Sequence, residues 1–103
     1  MNDFVKKKLG LREFQHHIEN IYGAKDRARG VSGTYFWFAE EFGELTRALR
    51  RNNRENLEEE FADTLAWLVT LASLKGIDME EAVSKKYGQG CSRCSEIPCI
   101  CSE

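Results

Sequence analysis

The sequence predicts an all-α domain, and three observations carry the prediction. Apolar residues recur at three- and four-residue intervals through successive segments, strand-like alternation is absent, and the single proline stands at Pro98, beyond the main body. At 103 residues the chain makes one domain with a small core.

The elements follow in order. A first helix is expected over residues 10–22, with Leu11, Phe14, Ile18 and Ile21 on one face. Residues 23–33 read as a glycine-punctuated connection carrying Lys25, Asp26, Arg27 and Arg29. A second helix is predicted from about 34 to 51, with Tyr35, Phe38, Phe42, Leu45 and Leu49 as its inward stripe. Asn52 and Asn53 break it. A third is predicted from about 55 to 74, with Leu57, Phe61, Leu65, Leu68 and Leu71 inward. Gly76 suits its C-terminal cap, with Lys75 in the last turn. Asp78-Met79-Glu80-Glu81 has capping-box spacing and starts a short fourth helix ending near Gly88. The chain thus divides into a helical domain, 1–88, and a cysteine tail, 89–103.

Composition excludes some functions. Charge is high but mixed, and the formal net charge of −2 argues against a dedicated nucleic-acid binder, which needs a basic face. No apolar run is long enough to span a membrane. Met1 to Lys8 is charged and lacks the apolar core of a signal peptide, so a cytoplasmic location is expected.

Two acidic patterns dominate the body. Glu40-Glu41-Phe42-Gly43-Glu44 lies on the second helix and Glu60-Phe61-Ala62-Asp63 on the third. Each places two carboxylates three residues apart, on one helical face. Trp37, Glu41, Glu44 and Ala48 share one stripe, and Glu60, Asp63, Trp67 and Thr70 share another. Helices joined by a short turn pack antiparallel, so the two pairs can meet if the register aligns them. A solvated acidic face accounts for most isolated Glu-Glu-x-x-Glu patterns. The second pair, and a tryptophan on each stripe, favour a site for hard divalent cations. Charge of one sign turned inward needs a neutralising cation, and Mg²⁺ held this way handles phosphates.

These residues resemble the signature of the MazG-like, all-α nucleoside triphosphate pyrophosphohydrolases. The similarity runs from Lys25-Asp26-Arg27 through Trp37 to Leu45, then Glu58 to Leu74 and Gly76-Ile77-Asp78 into Lys85, most of residues 20–87. The resemblance implies a four-helix architecture in a bundle that is a dimer or a larger homo-oligomer, with sites completed by the partner subunit. It implies that Glu41, Glu44, Glu60 and Asp63 bind Mg²⁺ and that Glu40 belongs to the catalytic signature. It implies a base contact at Trp67 and a phosphate contact at Lys85, and Trp37 and Lys25 are further substrate-binding candidates. The implied reaction is attack of water on the α-phosphorus of a nucleoside triphosphate, giving monophosphate and pyrophosphate, in clearance of unwanted nucleotides. A phosphoribosyl nucleotide as substrate, or a non-catalytic helical interaction module with a zinc tail, are the alternative readings. The cysteine tail is not part of the general family pattern.

Cys91, Cys94, Cys99 and Cys101 fall in the last thirteen residues, so they staple nothing in the body. Two close pairs on a short tail suit tetrahedral Zn²⁺, which would supply order that so few residues cannot. Disulfides or a reactive thiol tail are the other readings, and an ordinary cytosol disfavours disulfides. Four protein ligands would close the site, so its zinc is expected to be structural.

Other residues are discounted. His16 and His17 are adjacent and point to different faces, so at least one is surface. Lys6-Lys7-Lys8 reads as a solvated end, and Arg47, Arg50, Arg51 and Arg54 favour the end of the second helix through its dipole.

Overall fold

The computed structural model describes residues 8–102, so Lys6 and Lys7 of the basic run lie outside the described residues. These residues form three helices and no strand: α1, Leu11–Arg51; α2, Arg54–Leu74; and α3, Met79–Tyr87.

The expected first and second helices are the two arms of one kinked helix. The connection predicted over 23–33 is corrected to a single residue, Gly30, with φ 80° and ψ 177°. That backbone region is open essentially to glycine alone. Gly23 and Gly33 stay helical instead. A helical glycine costs only about 1 kcal/mol against alanine, and packing offsets it here: Gly23 and Asp26 are both buried against the rest of the fold. Glycine punctuation marked the region correctly but overstated the break.

The remaining boundaries follow local chemistry. Gly10 begins α1, and the Glu13 carboxylate accepts from its N–H at 2.9 Å. Asn52 turns the chain in the left-handed region, φ 54°. Asn53 caps α2 by accepting from the Asn56 N–H at 3.0 Å. Gly76, φ 71°, lies beyond its end. Asp78 caps α3, accepting from the Glu81 N–H at 3.0 Å.

α2 packs along α1, and α3 packs on α1. Trp37 meets Trp67, and Glu41 meets Asp63, so rising numbers on α1 meet falling numbers on α2. The two are antiparallel, as a two-residue turn requires. Gln15, buried on the first arm, ties the other end. Its amide donates to Ser73 Oγ at 3.0 Å and to the Ile77 carbonyl at 2.8 Å, and its oxygen accepts from the Met79 N–H. Arg12 reinforces the junction through Asp78 at 2.7 Å and Glu80 at 3.4 Å.

The core is small: Ile18, Ala48, Val69 and Ala72, with Thr34 and Thr70 among them. Most of the stripes expected to be inward are not covered within the chain. Tyr35, Phe42 and Leu49 on the second arm, and Phe61, Leu65 and Leu68 on α2, are exposed, and Phe36 is 72% exposed. Periodicity located the apolar faces, but two helices and a short third cannot enclose them. The radius of gyration, 16.4 Å, also exceeds the roughly 13 Å of a closed domain this size. No helix among the described residues is long and apolar enough to cross a membrane.

Candidate functional site

The antiparallel register brings three of the acids together. Carboxylate oxygens of Glu41, Glu60 and Asp63 all lie within 4.8 Å of one another. Glu41 is supplied by the second arm of α1, and Glu60 and Asp63 lie one turn apart on α2. Glu44 is exposed and is not one of the trio, although its charge still acts on Glu41. Glu40 is exposed on the neighbouring face.

The trio is electrostatically uncomfortable without a cation. Glu41 Oε1 and Glu60 Oε1 are buried, and neither has a hydrogen-bond donor. Burial first, then the Glu60 carboxyl and the charges of Glu44, Glu60 and Asp63, push the Glu41 carboxyl up to about 7. One shared proton can relieve the pair, and a divalent cation can do the same for all three. The oxygen-only donor set, with two orphaned buried oxygens, fits a hard cation such as Mg²⁺.

The tryptophans flank the trio. Trp37 lies one turn before Glu41 and Trp67 one turn after Asp63, and their rings stack at 6.2 Å and 13° across the helix pair. Beside them is a cavity of about 420 Å³, lined by Tyr22, Lys25, Asp26, Arg29, Asp63 and Trp67, together with Ile18, Ala66 and Thr70. Cations and an apolar wall therefore share one recess with an acid of the trio. Lys25 stands on the first helical arm rather than in a loop.

Lys85 lies elsewhere. It lines a polar cleft with Lys86, Gly90, Cys91 and Ser92, to which none of the acidic trio contributes. His16 and His17 are exposed, and neither lines the recess beside the trio. Sequence reading missed Arg29 as a site residue. Its signal was available, as the last cation before a glycine on the face shared with Asp26 and Lys25. That face is recognisable only once residues 23–29 are known to be helical.

The cysteines form a second, separate cluster. One sulfur from each of Cys91, Cys94, Cys99 and Cys101 lies within 4.8 Å of the others, and all four are free thiols. Cys91 Sγ and Cys101 Sγ stand 3.8 Å apart. Two ligands of a tetrahedral zinc with Zn–S of about 2.3 Å are separated by about that distance, whereas a disulfide is about 2.05 Å. Gly90, φ 138°, permits the tight start: a Cβ there would meet the Ser95 carbonyl oxygen at 2.6 Å. The loop is then closed by Ser95 N–H to the Cys91 carbonyl at 2.8 Å and Cys91 N–H to the Glu96 carbonyl at 3.1 Å. Amide N–H groups of Cys94 and Arg93 stabilise the Cys91 thiolate and draw its pKa down to about 6. The Arg93 N–H lies 3.4 Å from the sulfur, and the Cys101 N–H makes a similar bond to Cys99 Sγ at 3.3 Å. Neighbouring thiols push Cys101 up.

The helices, the acidic trio and the adjoining recess define an all-α protein with the makings of a phosphate-handling site. The MazG nucleotide pyrophosphohydrolase domain matches residues 31–94, more than half of the chain, and the chain belongs to that family. The matched stretch begins directly after the Gly30 break and contains all five signature acids, both tryptophans, α2 and α3. Lys25 and Arg29 precede it, and Cys99 and Cys101 follow it. No curated protein matches the chain.

Proposed function

We propose that this chain is a Mg²⁺-dependent pyrophosphohydrolase that cleaves nucleoside triphosphates to monophosphate and pyrophosphate, serving to clear unwanted nucleotides from the pool. The observation that carries the reading is the pair of orphaned buried oxygens on Glu41 and Glu60, inside the family-matched segment and beside a recess with two cations and an indole. Glu41, Glu60 and Asp63 would hold the metal, with Glu44 reaching in from the next turn and Glu40 supporting the signature. Mg²⁺ held there would supply positive charge to neutralise the phosphate oxygens and the leaving pyrophosphate. Trp67 and the apolar lining of the recess would hold the base, and Lys25 would face the phosphates. The site needs no Ser/His/Asp set, because this chemistry rests on positioning and electrostatics.

Two further parts belong to this reading. The exposed aromatic and aliphatic face of the second arm and α2 is covered by a second copy, making a homodimer. The partner's α3 would then bring its lysine, equivalent to Lys85, to the phosphates. The tail, residues 89–103, holds one structural Zn²⁺ on its four thiolates, apart from the helical domain, 1–88. Hard carboxylates and soft thiolates sort the two metals.

The test is a panel of nucleoside triphosphates assayed for pyrophosphate release with and without Mg²⁺. At least one is expected to be hydrolysed only with the metal. A panel inert under all conditions contradicts the proposal.

A further inference from the structure

Among the described residues, Arg29 stands out as a cation whose side chain has three partners at once. Its Nη2 pairs with the Asp26 carboxylate, its Nε donates to Thr34 Oγ1 at 3.0 Å, and its guanidinium lies 4.9 Å over the Trp67 ring. Asp26 is on the first arm of α1 and Thr34 on the second, so the side chain bridges the Gly30 break. Both partners are buried, Thr34 completely, which shields these bonds from water. The stem folds over Gly33: a Cβ there would lie 2.7 Å from Arg29 Cγ. Two glycines thus serve one side chain. Gly30 supplies the bend, and Gly33 supplies the room to cross it.

The consequence falls on Trp67. Its ring touches Arg29 from before the bend and Trp37 from after it. From this geometry we infer that Arg29 is a positioning residue, which fixes the Trp67 indole in the recess and thereby sets affinity for the nucleotide. This rests on the reading of that recess as the nucleotide pocket. A planar guanidinium can bond at its edge and stack on its face at once, whereas a lysine ammonium cannot. Arg29→Lys therefore keeps the charge and loses the bridge.

The test combines steady-state kinetics on a hydrolysed triphosphate with near-ultraviolet circular dichroism of the paired tryptophans. Arg29→Lys is expected to raise KM by about tenfold while kcat stays within about threefold. The tryptophan signal should weaken and helix content should hold. Gly33→Ala should shift KM the same way with the arginine intact, because it displaces only the stem. Added guanidinium should partly restore KM in Arg29→Ala. Unchanged KM and unchanged tryptophan signal in both Arg29→Lys and Gly33→Ala would overturn the inference and leave the functional reading standing. So would a fall in kcat at constant KM, which would place Arg29 at the chemistry instead. A wild-type chain that hydrolyses no triphosphate would overturn the functional reading, and the assignment of Arg29 to nucleotide affinity with it. That case is distinguishable, since the tryptophan signal would still respond to Arg29→Lys.

Discussion

The carboxylate trio and the cysteine cluster are both metal-type constellations, but they are assembled in opposite ways. Glu41 and Glu60 are nineteen positions apart on different helices, so their meeting depends on the turn at Asn52 and Asn53 and on the register of α1 against α2. The four sulfurs lie within residues 91–101 and are gathered by a glycine and a few backbone hydrogen bonds. The acids have orphaned oxygens and one carboxyl raised to about 7, while the Cys91 thiolate already receives amide N–H groups that lower its pKa to about 6. A site built by tertiary packing can be arranged for chemistry on a substrate between its elements. A site built locally mainly orders its own loop.

The largest effect expected from this contrast is on catalysis. Glu41→Gln, Glu60→Gln and Asp63→Asn should each lower turnover by about a hundredfold or more, since a catalytic metal contributes several kcal/mol to transition-state stabilisation. Glu44→Gln, outside the trio, should lose less. An equal loss would mean that Glu44 swings in to complete the ligand set. None of these changes should unfold the metal-free protein. With the Glu41 carboxyl raised from 4.5 to about 7, the folded state binds the extra proton. Metal-free stability therefore falls as pH rises from about 4.5 to 7. Glu41→Gln should flatten that fall in thermal melts taken without divalent cations.

Backbone strain at Gly30 sharpens the comparison from the other side. Gly30→Ala meets no atom within 4 Å, yet its φ of 80° is strained for any residue with a Cβ. A cost of about 1–3 kcal/mol is expected in denaturant unfolding, with activity impaired and zinc content unchanged. Zinc loss in this variant would show that the thiol loop depends on the helices after all.

Smaller effects belong to the tail. Truncation after Gly88 should leave Mg²⁺-dependent hydrolysis largely in place, and the untruncated chain purified without chelator should carry about one zinc. Gly90→Ala should lower zinc content, because its Cβ would strike the Ser95 carbonyl. Abolished activity in a folded, truncated dimer would instead place the tail at the active site.

The smallest effect concerns the junction that carries the tail. The Arg12 guanidinium, then the Glu81 N–H, hold the Asp78 carboxyl below its usual range. A depressed carboxylate contributes stability above its unfolded pKa, and this is lost as pH falls through the folded one. Asp78→Asn should therefore melt slightly below wild type at neutral pH, with the gap closing in acid.

Much of this was legible in the sequence. Helical periodicity placed α2, α3 and the end of the second arm of α1 within a residue or so, because Asn52, Asn53, Gly76 and Asp78 act locally, but it began that arm at about 34 instead of directly after Gly30. The thiol cluster was legible from spacing alone. The acids were legible as pairs on faces, but that Glu41 meets Glu60 and Asp63 while Glu44 stays outside depends on how α1 seats on α2. Three glycines within eleven residues looked like a loop, although only Gly30 has a backbone that demands one. Reading 23–33 as loop also hid the Asp26–Arg29–Thr34 bridge, which exists only because residues on either side of the break are helical.

On the proposed reading, the helix-built carboxylate site directs water to the α-phosphorus of a nucleoside triphosphate. Hydrolysis in ¹⁸O-enriched water, followed by mass analysis of the products, tests it most directly. The label should appear in the monophosphate, with unlabelled pyrophosphate as the other product. Label in the pyrophosphate, or release of diphosphate and orthophosphate, would contradict it.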